Sequence, residues 1–337
     1  MKQRDIALDI IRIVACIMVV MMHSPMPSDN AIGPFLTALS YFTEPCIGLF
    51  FMVSGALLLP ISGNFSSFLV KRLSKVLAPT IIWTVIYILM AFYFKLTDIE
   101  LTRTLLSIPF SPQGNGVLWF MYTLIGLYLM APILSPWLRE ARKKDLQIIL
   151  ALWAVTLCYP FLSHWIAIDS TTSGILYYFT GYAGYFLLGY YMKKYPGNVS
   201  QWLTGLIAFC GIIIIVVSKK IGIDISFSTH FGYLSIFVCA LTVFVWIAVT
   251  NLSNILINCN IKIWRSISTL SNLSFGVYLT HIMVMRYWLW EQTWIQSISN
   301  YILQSLIITV ITLILSLSLC YLFSLSPVGK YIIGYKK

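Results

Sequence analysis

The chain strings together, again and again, about 18 to 25 mostly apolar residues, and a helix needs about 20 to cross the hydrocarbon of a bilayer. In lipid the backbone must satisfy its own hydrogen bonds, so an unbroken apolar run of this length reads as a helix. Candidate spans fall at roughly 6–26, 35–59, 76–94, 116–136, 146–163, 174–192, 201–218, 231–250, 268–290 and 302–325. They predict an all-α, polytopic integral membrane bundle of about ten transmembrane helices, forming a single domain over 1–337. A soluble alternative lacks polar surface: 59% of the residues are hydrophobic and 10% charged, against about a quarter charged in an ordinary soluble domain.

The formal net charge of +11 invites a nucleic-acid reading, but the placement of the charges opposes it. Basic residues form small clusters between apolar runs, where they would meet anionic membrane lipids. No basic stripe or nucleic-acid-binding signature is present, so no nucleic-acid partner is expected. With the N-terminus inside, the cytoplasmic set holds Lys2, Arg4, Lys71, Arg72, Lys75, Arg139, Arg142, Lys143, Lys144, Lys193, Lys194, Lys262, Arg265, Lys330, Lys336 and Lys337. The opposite face receives Lys95, Arg103, Lys219, Lys220 and Arg286: sixteen against five, with Arg12 left inside a span. The positive-inside bias then places both termini in the cytoplasm.

Seven cysteines, Cys16, Cys46, Cys158, Cys210, Cys239, Cys259 and Cys320, are scattered mostly through apolar runs and read as small buried hydrophobes. Their spacing offers no disulfide framework and no metal site, and no metal is expected. Lys2 and Arg4 before an apolar run resemble a signal peptide, but Asp9, Arg12 and His23 interrupt that run, which therefore reads as an uncleaved first helix. Gly181 and Gly184 predict close helix contact in the sixth span. Pro79 is read as lying near a span start, where it is tolerated, and Pro132 as bending or ending the fourth span. The outer stretches 96–115 and 219–230 are the longest external loops, either a lid or acceptor surface or plain connectors.

The informative residues are polar groups inside apolar runs. In LDIIRIVACIMVVMMH, Arg12 and His23 are eleven apart, which is three helical turns plus about 20°, so they share a face while about 16 Å apart along the axis. Asp9 stands three residues before Arg12 and can pair with it. The pair either serves a site or ties the first helix to the bundle, and His23 is either reactive or an interfacial hydrogen-bonding residue. Glu44, opening the second span across the short 27–34 connection, could orient His23 or sit as a headgroup-level glutamate. Tyr278 and His281 end LSNLSFGVYLTH, a run with too many polar groups for a lipid-facing helix; His281 is a second site residue or a packed histidine. His164, Asp169 and His230 lie near outer loops, where exposure accounts for them.

Several stretches together resemble the acyltransferase-3 family of membrane acyltransferases. They are LDIIRIVACIMVVMMH, with an arginine, ten residues and a histidine; GLFFMVSGALLLP around Ser54 and Gly55; the basic FLVKRLSKVLAPTIIW; GVLWFMYTLIGLYLMAPIL; and LSFGVYLTH ending at His281. The resemblance implies transfer of an acyl group, commonly acetyl, from cytoplasmic acetyl-CoA to a hydroxyl of an extracytoplasmic glycan or lipid-linked saccharide, in a bacterial cytoplasmic membrane. It carries the catalytic role to His23 and a donor-site or structural role to Arg12. The chain looks like the membrane-only branch, which includes O-acetyltransferases of surface polysaccharides.

Chemically, His23 would act as general base or as a transient acyl carrier. Arg72 and Lys75 would contact CoA phosphates or anchor the chain at the headgroups, and Trp119 and Tyr122 would line a channel or belong to an aromatic belt. A transporter or flippase of a polar or lipid-linked solute is the rival reading, since intramembrane charges also mark transport paths. The absence of a clear inverted repeat disfavours it. An inactive acyltransferase-like binding protein is the third alternative, opposed by the presence of both Arg12 and His23.

Overall fold

The computed structural model describes residues 5–26, 34–94, 101–112, 116–221, 226–256 and 261–337. Lys2, Arg4, Lys95, Cys259, most of the 27–34 connection and parts of both long outer loops lie outside the described residues, as do the side chains of Lys219 and Lys262. Helices α1 Ile6–His23, α2 Pro34–Thr43, α3 Pro45–Leu58, α4 Phe65–Tyr93 and α5 Leu101–Ser107 come first. Next are α6 Trp119–Glu140, α7 Lys143–Leu157, α8 Tyr159–Leu162, α9 Ala183–Lys194 and α10 Gln201–Lys220. Then α11 Phe227–His230, α12 Ile236–Leu256 and α13 Ile261–Val284 lead into a π-helical turn at Met285–Leu289. Finally come α14 Thr293–Gln296, α15 Tyr301–Leu325 and α16 Gly329–Ile332.

Every expected span carries helix, and among the described residues no strand occurs. Among the described residues, seven segments are long and apolar enough to cross a membrane: Ile6–His23, Leu36–Leu58, Phe65–Tyr93, Trp119–Glu140, Gln201–Ser218, Ile236–Asn254 and Tyr301–Leu325. The expected spans 146–163, 174–192 and 268–290 fall on α7, α9 and α13. Of these, α7 has 15 residues and α9 has 12, short of the length a perpendicular crossing takes. α13 has 24 residues but spreads serines, a threonine and an asparagine along its first half.

Three local readings change. The second span is two helices, because Pro45 supplies no N–H to continue α2 and instead starts α3 directly after Glu44. Pro79 is inside α4, not near its start, because the helix begins at Phe65, where the Asn64 side chain accepts the Ser66 N–H at 3.2 Å. Proline leaves the Lys75 carbonyl without its helical donor, and Gly334, at φ +68, brings its backbone against that carbonyl: a Cβ there would stand 3.0 Å away. Pro132 does not end the fourth span, since α6 continues to Glu140.

The chain forms two compact units. The first takes Met1–Met18, Ile32–Pro60 and Ser135–Trp264; the second takes Val19–Ala31, Ile61–Leu134 and Arg265–Lys337. In the first, α3 and α9 meet backbone to backbone: a Cβ on Gly55 would collide with the Phe186 carbonyl, and one on Gly189 with the Met52 carbonyl. Gly184 abuts the Trp153 ring, so close contact occurs in this span, through Gly184 and Gly189, while Gly181 shapes the turn before α9. Beside this, the Tyr41 hydroxyl donates to the Ala208 carbonyl at 2.7 Å within a cluster of Phe231, Val238 and Leu241. At the entry to α7, the Arg142 side chain and N–H bond to Asp145 and hold its carboxyl below the usual carboxylate range.

In the second unit, α4 is tied along its length by buried rings donating to backbone carbonyls. Trp83 Nε1 donates to Ile332 at 2.9 Å and the Tyr87 hydroxyl to Leu279 at 2.7 Å. A buried tyrosine or tryptophan needs such a partner for its polar tip, and each bond fixes a helix register. Cys16, Cys46, Cys239 and Cys320 are buried as expected, whereas Cys158 is half-buried and Cys210 exposed, on α10, whose apolar face is largely uncovered.

Candidate active site

The second unit brings together two of the four histidines. His23 is the last residue of α1, and the segment beyond it is held by the Ser24 hydroxyl, donating to the Met21 carbonyl at 2.8 Å, and the Tyr301 hydroxyl, donating to the Met26 carbonyl at 3.2 Å. His281, fully buried, lies one turn before the end of α13. The two ring centroids are 5.4 Å apart with planes tilted by 35°. His281 Nδ1 stands 2.7 Å from the Tyr278 carbonyl oxygen. A carbonyl only accepts, so Nδ1 carries the proton, and in the neutral ring Nε2 keeps a lone pair. Among the described residues that buried Nε2 has no hydrogen-bond partner.

The chain after His281 departs from α-helix. Met285–Leu289 is a π-helical turn, closed by the Trp290 N–H on the Met285 carbonyl at 3.0 Å, and such turns recur at functional sites. Arg286 is the second residue of the turn, with its guanidinium carbon 5.4 Å from the Trp290 ring centroid. Among the described residues its buried Nε has no hydrogen-bond partner. Its positive charge acts on both imidazoles and on the Tyr87 hydroxyl. By sequence alone Arg286 counts only among the external charges. The signal available was an arginine five residues after His281 inside the apolar, aromatic run VMRYWLW.

Tyr278 joins the site through its backbone. Its hydroxyl donates to the Val117 carbonyl at 2.6 Å and its ring meets Phe120 edge-on at 5.4 Å, fixing α13 against the start of α6. Its carbonyl then sets the orientation of His281. Tyr122 is also held, donating to the Ile108 carbonyl at 2.8 Å, and Trp119, beside Phe120, is half-buried. Arg72 and Lys75 lie on the first half of α4, half-buried and exposed respectively, and not in a loop.

The remaining candidates belong to the first unit. Asp9 is buried and Arg12 half-buried, one turn apart on α1. Glu44 stands at the α2–α3 break and lines a pocket of that unit. Asp169 accepts from the Thr171 hydroxyl and N–H at 2.6 and 2.8 Å, which holds its carboxyl below the usual range, as for an exposed loop residue. His230 is likewise bonded locally, Nδ1 to the Ser226 carbonyl at 3.0 Å, and its ring lies 6.1 Å from that of His164.

Apolar helices of spanning length make this a multi-pass membrane protein. Its sequence matches a family described as an acyltransferase domain over residues 5–324, nearly the whole chain, and the protein belongs to this acyltransferase-3 family. No curated protein and no solved structure matches the chain. Family membership makes it an acyltransferase.

Proposed function

We propose that the protein transfers an acyl group, acetyl in the first instance, from cytoplasmic acyl-CoA to a hydroxyl of an extracytoplasmic surface glycan or lipid-linked saccharide. In this reading it sits in a bacterial cytoplasmic membrane, crosses about ten times and keeps both termini inside, in line with the sixteen-to-five charge bias. The observation that carries the proposal is the His23–His281 pair beside Arg286. His23 takes the proton of the acceptor hydroxyl as its oxygen attacks the thioester carbon. The C–O bond forms, the C–S bond breaks, and the proton passes to the leaving sulfur, giving CoA as the free thiol. On the acyl-carrier route, His23 nitrogen attacks first and the acceptor then takes the acyl group from the imidazole.

His281 Nε2 would accept the His23 N–H and so fix which His23 nitrogen presents its lone pair. Arg286 would stabilise the oxyanion of the tetrahedral intermediate. Arg12, Arg72 and Lys75 would supply counter-charge for donor phosphates. The test is acylation in membranes with radiolabelled acetyl-CoA, comparing the unmodified protein with His23→Ala and Arg12→Ala. His23→Ala is expected to lower transfer by about 10²–10⁴-fold. Folded, unmodified protein that moves no label to the native envelope glycans would sink the proposal. Solute accumulation that persists in His23→Ala would replace it with transport.

A further inference from the structure

A pocket of about 440 Å³ lies within the first unit, in the range of about 300–1,000 Å³ typical of small-molecule sites. Four stretches of chain converge on it: the α2–α3 break, the end of α7, the turn before α9 and the approach to α12. On the positive-inside reading all four are at the extracytoplasmic end. Glu44, Thr180, Tyr182, Ser228, Thr229 and Tyr233 supply most of its polar lining.

The walls are braced from behind. The Gly181 carbonyl accepts Trp153 Nε1–H at 2.9 Å, and the Tyr233 carbonyl accepts the Tyr185 hydroxyl at 2.8 Å. The Tyr182 ring rests on Phe51 at 5.0 Å, and Ser226 Oγ lies 3.2 Å from both the Ser228 and Thr229 hydroxyls. Against this fixed background Glu44 Oε2 is buried and, among the described residues, without a hydrogen-bond partner. A buried acceptor in that state marks a place where a donor is missing.

The lining selects the class of ligand. Among the described lining residues there is no lysine or arginine, so the phosphates of CoA find no counter-charge. An acyl chain would leave the hydroxyls stranded. A saccharide offers donors and acceptors in close succession, with C–H faces suited to the tyrosine rings. We infer that this pocket binds the sugar of the acceptor, with Glu44 accepting from a sugar hydroxyl. The inference rests on the acyl-transfer reading for naming that sugar as the acceptor, and it gives Glu44 a binding role in place of the catalytic one expected from sequence.

The test has two readouts on the full chain. First, Tyr233 is replaced by photoreactive p-benzoylphenylalanine in cells that make their native envelope glycan, and the irradiated peptide is weighed by mass spectrometry. Sugar adducts are expected, retained in His23→Ala and depleted in Glu44→Ala. Second, Glu44→Ala and the near-isosteric Thr229→Val are expected to raise the KM for envelope glycan roughly five- to tenfold each, the worth of one hydrogen bond, with the acetyl-CoA KM unmoved. Absence of sugar adducts, adducts of phospholipid alone, or His23-dependent transfer whose glycan KM neither variant shifts would overturn the pocket. Sugar adducts in a protein that transfers no acyl group would leave the pocket standing and remove the acyl-transfer reading.

Discussion

The α3–α9 contact in the first unit and the His23–His281 contact in the second both join segments far apart in sequence, but they are finished to different degrees. At α3–α9, Gly55 and Gly189 press backbone against the carbonyls of Phe186 and Met52, with no room for a side chain. Around the imidazoles, His281 Nε2, Arg286 Nε and Trp290 Nε1 are buried and, among the described residues, unmatched. Native interiors leave few such atoms, and each asks for an explanation. The first contact leaves no room for a side chain; the second leaves buried hydrogen-bonding groups unmatched among the described residues, groups that the proposed chemistry would use.

The largest effect expected from breaking this contrast comes from Gly55→Leu. The new side chain must displace the Phe186 backbone, and the loss should exceed about 3 kcal/mol, beyond ordinary overpacking, because backbone cannot rotate aside. Monodisperse protein should vanish in fluorescence-detected size exclusion. An unchanged melting temperature would mean that the contact is loose. Next in size, Arg286→Gln should leave the melting temperature alone while lowering kcat by about 10²–10³-fold, as for loss of one oxyanion donor, with Arg286→Lys recovering only part. An intact kcat would place the guanidinium outside the reaction. Smallest, Tyr278→Phe removes the 2.6 Å bond to Val117 and should lower stability by about 1 kcal/mol, a drop of a few degrees in Tm. Its kcat should change little, because the carbonyl that orients His281 remains. A large fall in kcat at constant Tm would move the Tyr278 hydroxyl into the chemistry.

The apolar runs were legible because lipid enforces them: a span must be apolar along its length, and that shows in sequence. What apolarity does not report was misplaced. α4 extends back to Phe65 through exposed Lys71 and Lys75, a stretch started by the Asn64 cap and invisible to hydropathy, so the apolar run places Pro79 near a span start although it is internal to the helix. Helical spacing put Arg12 and His23 on one face of α1, since neighbours along a helix follow from counting. The meeting of His23 with His281 could not be counted, because tertiary packing makes it. The surroundings of Arg286 are hidden for a related reason: its place near the end of an apolar run counts it among the external charges, and only the folded backbone sets its guanidinium over the Trp290 ring.

The π-helical turn at Met285–Leu289 also bears on how the protein could change over time. Such a turn holds one residue more than an α-helix would, so removing one restores regular helix and rearranges chiefly the turn itself. A single codon deletion there would restore regular helix and re-aim the side chains of the turn, Arg286 among them, sparing the Tyr278 and His281 anchors upstream. On the role proposed for Arg286, activity would then be lost in one inherited step, in a membrane protein that otherwise inserts, packs and persists.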